Sequence, residues 1–167
     1  MCMKGNMMTH LIRHAALAAL LALAAGGASA AATVTYVQPE RFSDIPFAHH
    51  DRERVLDSMT DHFNKLAARL PAGQDLNVEV LDIDLAGQSL PSRMSAQDLR
   101  VMNGGADWPR IKLRYSITQG GQVVRSGEEN LRDMTYLDHP NRFNGSDLLR
   151  YEKKMLDDWF KERLAVR

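Results

Sequence analysis

The sequence predicts an α+β fold, a two-layer sandwich in which a sheet of about four strands carries two helices on one face. Three observations lead there. Asp51–Leu70 and Asp147–Leu164 repeat apolar residues at helical spacing, Ile111–Thr118 alternates apolar and polar residues, and the turn Gln119-Gly120-Gly121-Gln122 folds that alternation back as a hairpin. Helices with a single apolar stripe and strands with a single apolar face can bury both only by packing as layers. A ferredoxin-like arrangement lacking its last strand is the alternative topology.

In chain order, Thr33–Val37 is β-branched and aromatic and ends before Pro39, which reads as a short first strand. Arg41–Pro46 is a loop. Asp51 can cap a helix whose apolar positions are Leu56, Met59, Phe63, Leu66 and Leu70, and Pro71 with Gly73 ends it. The next strand, Leu76–Leu85, changes phase. Leu76, Val78 and Val80 are apolar on even positions, whereas Leu81, Ile83 and Leu85 are apolar on odd ones, so a β-bulge is expected at Val80-Leu81.

Ala86–Asp107 holds Gly87, Pro91, Gly104 and Gly105 and reads as a long loop with room for a short strand near Leu99–Met102. In the hairpin, Ile111, Leu113, Tyr115 and Ile117 face one way, and Lys112 and Arg114 face solvent. A two-residue turn sets Ile117 opposite Val124, Tyr115 opposite Ser126, Lys112 opposite Glu129 as an ion pair, and Glu128 inward against Leu113. Asn144 or Ser146 then caps a last helix with a stripe of Leu148, Leu149, Met155, Leu156, Trp159, Phe160 and Leu164.

The first thirty residues read as a secretory signal. Lys4, His10, Arg13 and His14 precede the apolar run Ala15–Ala25, which is too short to span a bilayer, and Ala28 and Ala30 fit the small-residue cleavage rule. Cleavage after Ala30 leaves residues 31–167 as one domain, exported to the periplasm, with no stable membrane anchor. Lys and Arg number 21 against 21 Asp and Glu, so charge offers no footprint for nucleic acid. Cys2 is the single cysteine and falls in the leader, so the mature chain has neither a disulfide nor a thiol nucleophile.

Glu152 is the sharpest conflict in the chain, because its helical angle falls inside the stripe of Leu149, Leu156 and Trp159. A carboxylate there must be paired, hydrogen-bonded or protonated. It reads first as a structural contact and second as a ligand-binding or catalytic acid, with Glu128 or Asp133 as the second carboxylate. Tyr136, Tyr151 and Trp159 offer an aromatic groove but read first as core. Glu79, Asp82 and Asp84 form a polar strand face, expected to be a solvated ladder beside Lys112 and Arg114 rather than a metal site, since no calcium-loop spacing is present. His49, His50 and Asp51 offer a weak transition-metal site, with His62 further along the same helix. There is no nucleophile elbow and no phosphate loop, and the sequence points to no cofactor.

Four stretches, Val80–Gly87, Trp108–Ile111, Leu131–Tyr136 and Tyr151–Phe160, make the chain similar to the bacterial family of small exported proteins known as domain of unknown function 3016. The resemblance implies export and a single domain, and it implies no activity. The resulting expectation is a non-enzymatic envelope accessory or binding module whose partner is an envelope protein or a small ligand. A hydrolase-type enzyme using buried carboxylates and a weak metal-handling protein are the alternatives.

Overall fold

A computed structural model describes residues 32–90, 92 and 99–164, so the expected leader and cleavage site lie outside the described residues. The elements are β1 (Ala32–Tyr36), α1 (His49–Ala67), β2 (Gln74–Asp84), β3 (Gln88–Leu90), β4 (Leu99–Val101), β5 (Arg110–Gln119), β6 (Gln122–Arg132) and α2 (Arg150–Trp159). A π-helical turn, Phe160–Leu164, continues α2.

The main sheet has the order β1-β2-β5-β6, with β1 parallel to β2 and the other pairs antiparallel. The direct pairing of β1 with β2 removes the ferredoxin-like alternative, whose βαβ unit is split by an intervening strand. Both helices cover one face of this sheet. Val55, Met59, Phe63 and Leu66 of α1 and Leu156 with Trp159 of α2 share one core with Leu76, Val78, Val80, Leu113 and Tyr115. The α+β sandwich read from the sequence is therefore the observed fold, and Lys112 and Arg114 stand on the wet face.

The bulge in β2 falls where the phase change puts it. Val80 pairs with Leu113 and Asp82 with Lys112, leaving Leu81 as the extra residue, so that Val80 and Ile83 are both buried. A second bulge in the hairpin corrects the expected register. Gln119 pairs with Gln122 and Thr118 with Val123 as the two-residue turn requires, but Ile117 then pairs with Arg125, not Val124. Every later partner moves by one residue. Tyr115 lies opposite Gly127 rather than Ser126, Lys112 opposite Asn130 rather than Glu129, and Glu128 opposite Arg114 rather than Leu113. Since a one-residue slip exchanges the faces of a strand, Glu128 is exposed and does not face inward. The Tyr115 ring gives a reason for the slip: a Cβ at position 127 would stand 2.9 Å from Tyr115 Cε1, so a glycine fits beneath it.

The helix ends also differ from the expectation. α1 begins at His49, and α2 begins at Arg150 rather than at Asp147. Asp147 precedes α2 in a turn, where its Oδ1 accepts the Leu149 N–H at 3.0 Å and its carboxylate holds Lys153 Nζ. Asn144 stabilises the turn before that by accepting the Ser146 N–H at 3.1 Å. Leu148 therefore leaves the expected stripe and is exposed. The π-helical turn widens the last coil, and Phe160 and Leu164 are both buried from it. The stretch expected as a loop contains a two-stranded flap, with Gln88 paired to Val101 and Leu90 to Leu99.

Candidate functional site

The four stretches that carry the family resemblance converge at one end of the sheet. The Gly87 N–H bonds the Asp107 carbonyl at 2.8 Å, the Asp133 N–H bonds the Pro109 carbonyl at 3.3 Å, and the Ala86 N–H bonds Glu152 Oε1 at 2.7 Å. Tyr136 packs edge-on against Tyr151 at 4.8 Å between centroids, and its hydroxyl donates to Asp107 Oδ1 at 3.0 Å. Antiparallel strands make this convergence unavoidable: the end of β2, the start of β5 and the end of β6 are neighbours, and α2 begins above them.

Glu152 is the buried acid of this end, only 2% exposed. Burial pushes its carboxyl up to about 7, against the opposing pull of the Ala86 N–H and of Arg100. Arg100, from β4, works on the other side of the same peptide segment. Its Nη1 lies 2.8 Å from Asp44 Oδ2 and donates to the carbonyls of Ala86 at 3.1 Å and Gly87 at 3.3 Å. The chain at Ala86-Gly87 is thus held from below by a carboxylate and from the flap by a guanidinium. Gly87 adopts φ +79°, and a Cβ there would lie 2.5 Å from the Val101 carbonyl oxygen, so only glycine allows β4 to approach this closely.

Above this clamp lies a cleft of about 380 Å³. Its walls are Pro46, Phe47 and Val55 from the start of α1, Leu85 from β2, and Leu148 from the turn before α2, with Arg54 and Arg100 among its polar groups. Phe47 is 98% exposed and Leu148 46% exposed at its edge. Large apolar side chains left in water at the edge of a concavity mark a binding surface rather than core.

The other residues singled out in the sequence are distributed as follows. Asp82 accepts the Ser43 N–H and hydroxyl, both at 2.7 Å, which fastens the Phe42–Asp44 loop to β2. Asp84 takes the guanidinium of Arg110, its cross-strand partner. Glu128 sits between Lys112 and Arg114, at 3.1 and 2.9 Å, and these cations hold its carboxyl below the usual range. Asp133 closes a local turn by accepting the Thr135 N–H at 3.1 Å. Tyr136 is buried, and desolvation together with Asp107 pushes its hydroxyl up to about 12. The trio Glu152, Glu128 and Asp133 is not brought together: Glu128 stands on the far face of the sheet, Asp133 is occupied in its turn, and Glu152 is sealed under Ala86. His49 lies beside Glu53 at 3.8 Å and Asp51 beside Arg54 at 3.5 Å on an exposed surface. His62 points away from them into the core. Among the described residues no three His, Cys, Asp or Glu side chains gather as a metal site.

Sequence reasoning missed three participants. Arg100 and Asp44 come from segments without strong periodicity, and no local spacing announces that they meet across 56 residues. Phe47 carried a signal, a large aromatic between Pro46 and the helix start, with no apolar repeat to bury it.

Fold and site together define a small α+β protein with a clamped loop, a flap and an apolar-edged cleft at one end of its sheet. The chain belongs to the family described as protein of unknown function DUF3016, whose model matches residues 30–162. No curated protein and no solved structure shows significant similarity to it.

Proposed function

We propose that this protein is an exported, periplasmic binding module that takes an amphipathic small ligand in the cleft between the start of α1, Leu148 and the β3–β4 flap. The observation that carries this reading is Phe47, a fully solvated aromatic at the mouth of a concavity whose floor, Val55 and Leu85, is part of the core. Arg54 is the rim cation, paired with Asp51 of the same lining at 3.5 Å, and an anionic head group beside an apolar body would share it. Glu152 has a supporting role here: it fixes Ala86, the neighbour of Leu85 in the cleft floor. Export is supported by the basic start, the apolar run Ala15–Ala25 and the Ala28/Ala30 pair.

Two measurements test the reading. Titration with 1-anilinonaphthalene-8-sulfonate, an apolar anion, is expected to saturate at one site, and Phe47→Asp is expected to weaken it about tenfold, or 1.4 kcal/mol, while the far-ultraviolet dichroism stays unchanged. Equal affinity in the variant would remove the cleft as the site. The intact mass of protein from the periplasmic fraction should begin after Ala30, and a species retaining Met1 would overturn the export part.

A further inference from the structure

We propose that the outer edge of β6, with the groove between it and α2, docks an extended segment of a partner protein, which adds to the sheet as a further strand and places cationic side chains in the groove. β6 is 11 residues long and is an outermost strand of the main sheet. Among the described residues no strand lies beside its outer edge. Edge strands are ordinarily kept short, bulged away or covered, because a row of unpaired N–H and C=O groups is a template for another strand. Here the bulge is confined to the turn end of β6, and Arg125–Arg132 runs in unbroken register with β5.

Next to that edge is a groove of about 400 Å³. One wall is the continuous stretch Glu129–Asp133. The other is the face of α2 and its π-helical turn carrying Lys154, Met155, Asp158, Trp159 and Glu162, positions that helical spacing places on one side. Leu131 is half-buried at the groove, and Met155 and Trp159 form its floor as core residues. A strand edge alongside a helix is the geometry of β-augmentation, in which main-chain bonds provide affinity and alternate side chains, dropping between strand and helix, provide specificity.

Charge indicates what those side chains are. Glu129, Asp133, Asp158 and Glu162 line the groove with Lys154, Arg163 and His139, and Arg132 borders it through its main chain, since it lies opposite Arg110 on the wet face. Lys154 pairs with Asp158 at 2.6 Å and Arg163 with Glu129 at 4.0 Å. Among the described residues, Asp133 and Glu162 remain as carboxylates without a cation. A strand with lysine or arginine at alternate positions around one apolar residue satisfies both, and the site is separate from the cleft at Phe47.

The probe is the acetylated, amidated heptapeptide Thr-Lys-Thr-Leu-Thr-Lys-Thr, titrated into the full mature protein and followed by amide chemical shifts. Saturable shifts confined to β6 and the facing side of α2 are expected. N-methylation of the peptide amides that face β6, replacement of both lysines by glutamate, and the double variant Asp133→Asn with Glu162→Lys should each weaken binding about tenfold or more. The asparagine still accepts the Thr135 N–H, and the peptide changes test the site without altering the fold. Shifts centred on Phe47, indifference to N-methylation, or a concentration-dependent dimer of the protein that itself occupies β6 would each overturn the proposal.

Discussion

Among the described residues the core contains two buried polar side chains, Glu152 at 2% exposure and His62 at 3%, and they are accommodated in opposite ways. Glu152 lies on the stripe of α2 with a main-chain N–H at 2.7 Å and Arg100 nearby. His62 is on α1, edge-on to Phe143 at 5.6 Å, with Nε2 3.4 Å from Asp157 Oδ1 and no hydrogen bond on either atom among the described residues. Burial disfavours the charged form of both. It raises the carboxyl to about 7 and lowers the imidazole to about 4, the latter helped by Lys153 and opposed by Asp157. The difference teaches that the same desolvation has opposite consequences for stability against pH. Between about 4.5 and 7 the folded protein holds a proton on Glu152 that the unfolded chain releases, so this group stabilises at low pH and the gain is lost as pH rises. Between about 4 and 6.5 the unfolded chain protonates His62 and the folded one does not, so stability is lost as pH falls.

The largest predicted effects come from removing one of the pair. In the parent protein the two slopes oppose each other between pH 4.5 and 6.5. Glu152→Gln keeps an oxygen for the Ala86 N–H and leaves His62 uncompensated, so urea unfolding should show about 3 kcal/mol lost from pH 6.5 to 4. His62→Gln should show the mirror image, a gain of about 3 kcal/mol as pH falls from 7 to 4.5. If either variant kept the parent's profile, the assignment of that slope would be wrong.

Truncation sharpens the comparison further. Glu152→Ala orphans the Ala86 N–H and should destabilise by about 1–3 kcal/mol at pH 6. Gly87→Ala forces a Cβ against the Val101 carbonyl at a positive φ, with a cost of about 1–3 kcal/mol. Its signature is local: faster amide hydrogen exchange in β3 and β4 with β5 unaffected, and uniform acceleration would instead mean that the flap is integral to global stability. The smallest effect belongs to the wet face. A double-mutant cycle on Asp84 and Arg110 should return about 0–1 kcal/mol and shrink with added salt.

The fold was legible where one local pattern carried the answer. The apolar periods of α1 and α2 and the alternation of β5 each determine which face is buried, and the even-to-odd switch at Val80-Leu81 marked the β2 bulge because a strand can change its buried parity only by inserting a residue. Glu152 was legible as a conflict for the same reason. The hairpin register was not, because Gly120-Gly121 dictates only the first two pairs, and the shift at Ile117 depends on the Tyr115 ring lying over Gly127. That one residue moved Glu128 from the presumed interior to a pair of cations in water.

By itself, then, the sequence determined two layers, the side of each element that is buried, the β2 bulge and the family. Only the tertiary structure decided that Asp44, Arg100 and Glu152 grip one loop, that Phe47 and Leu148 edge a cleft, and that β6 is an outermost strand beside a helix. The physical reason is range. Periodicity and turn chemistry act over a few residues and are written in consecutive positions, whereas a clamp between residues 44, 100 and 152 is made by chain crossings and by packing contacts that no local spacing encodes.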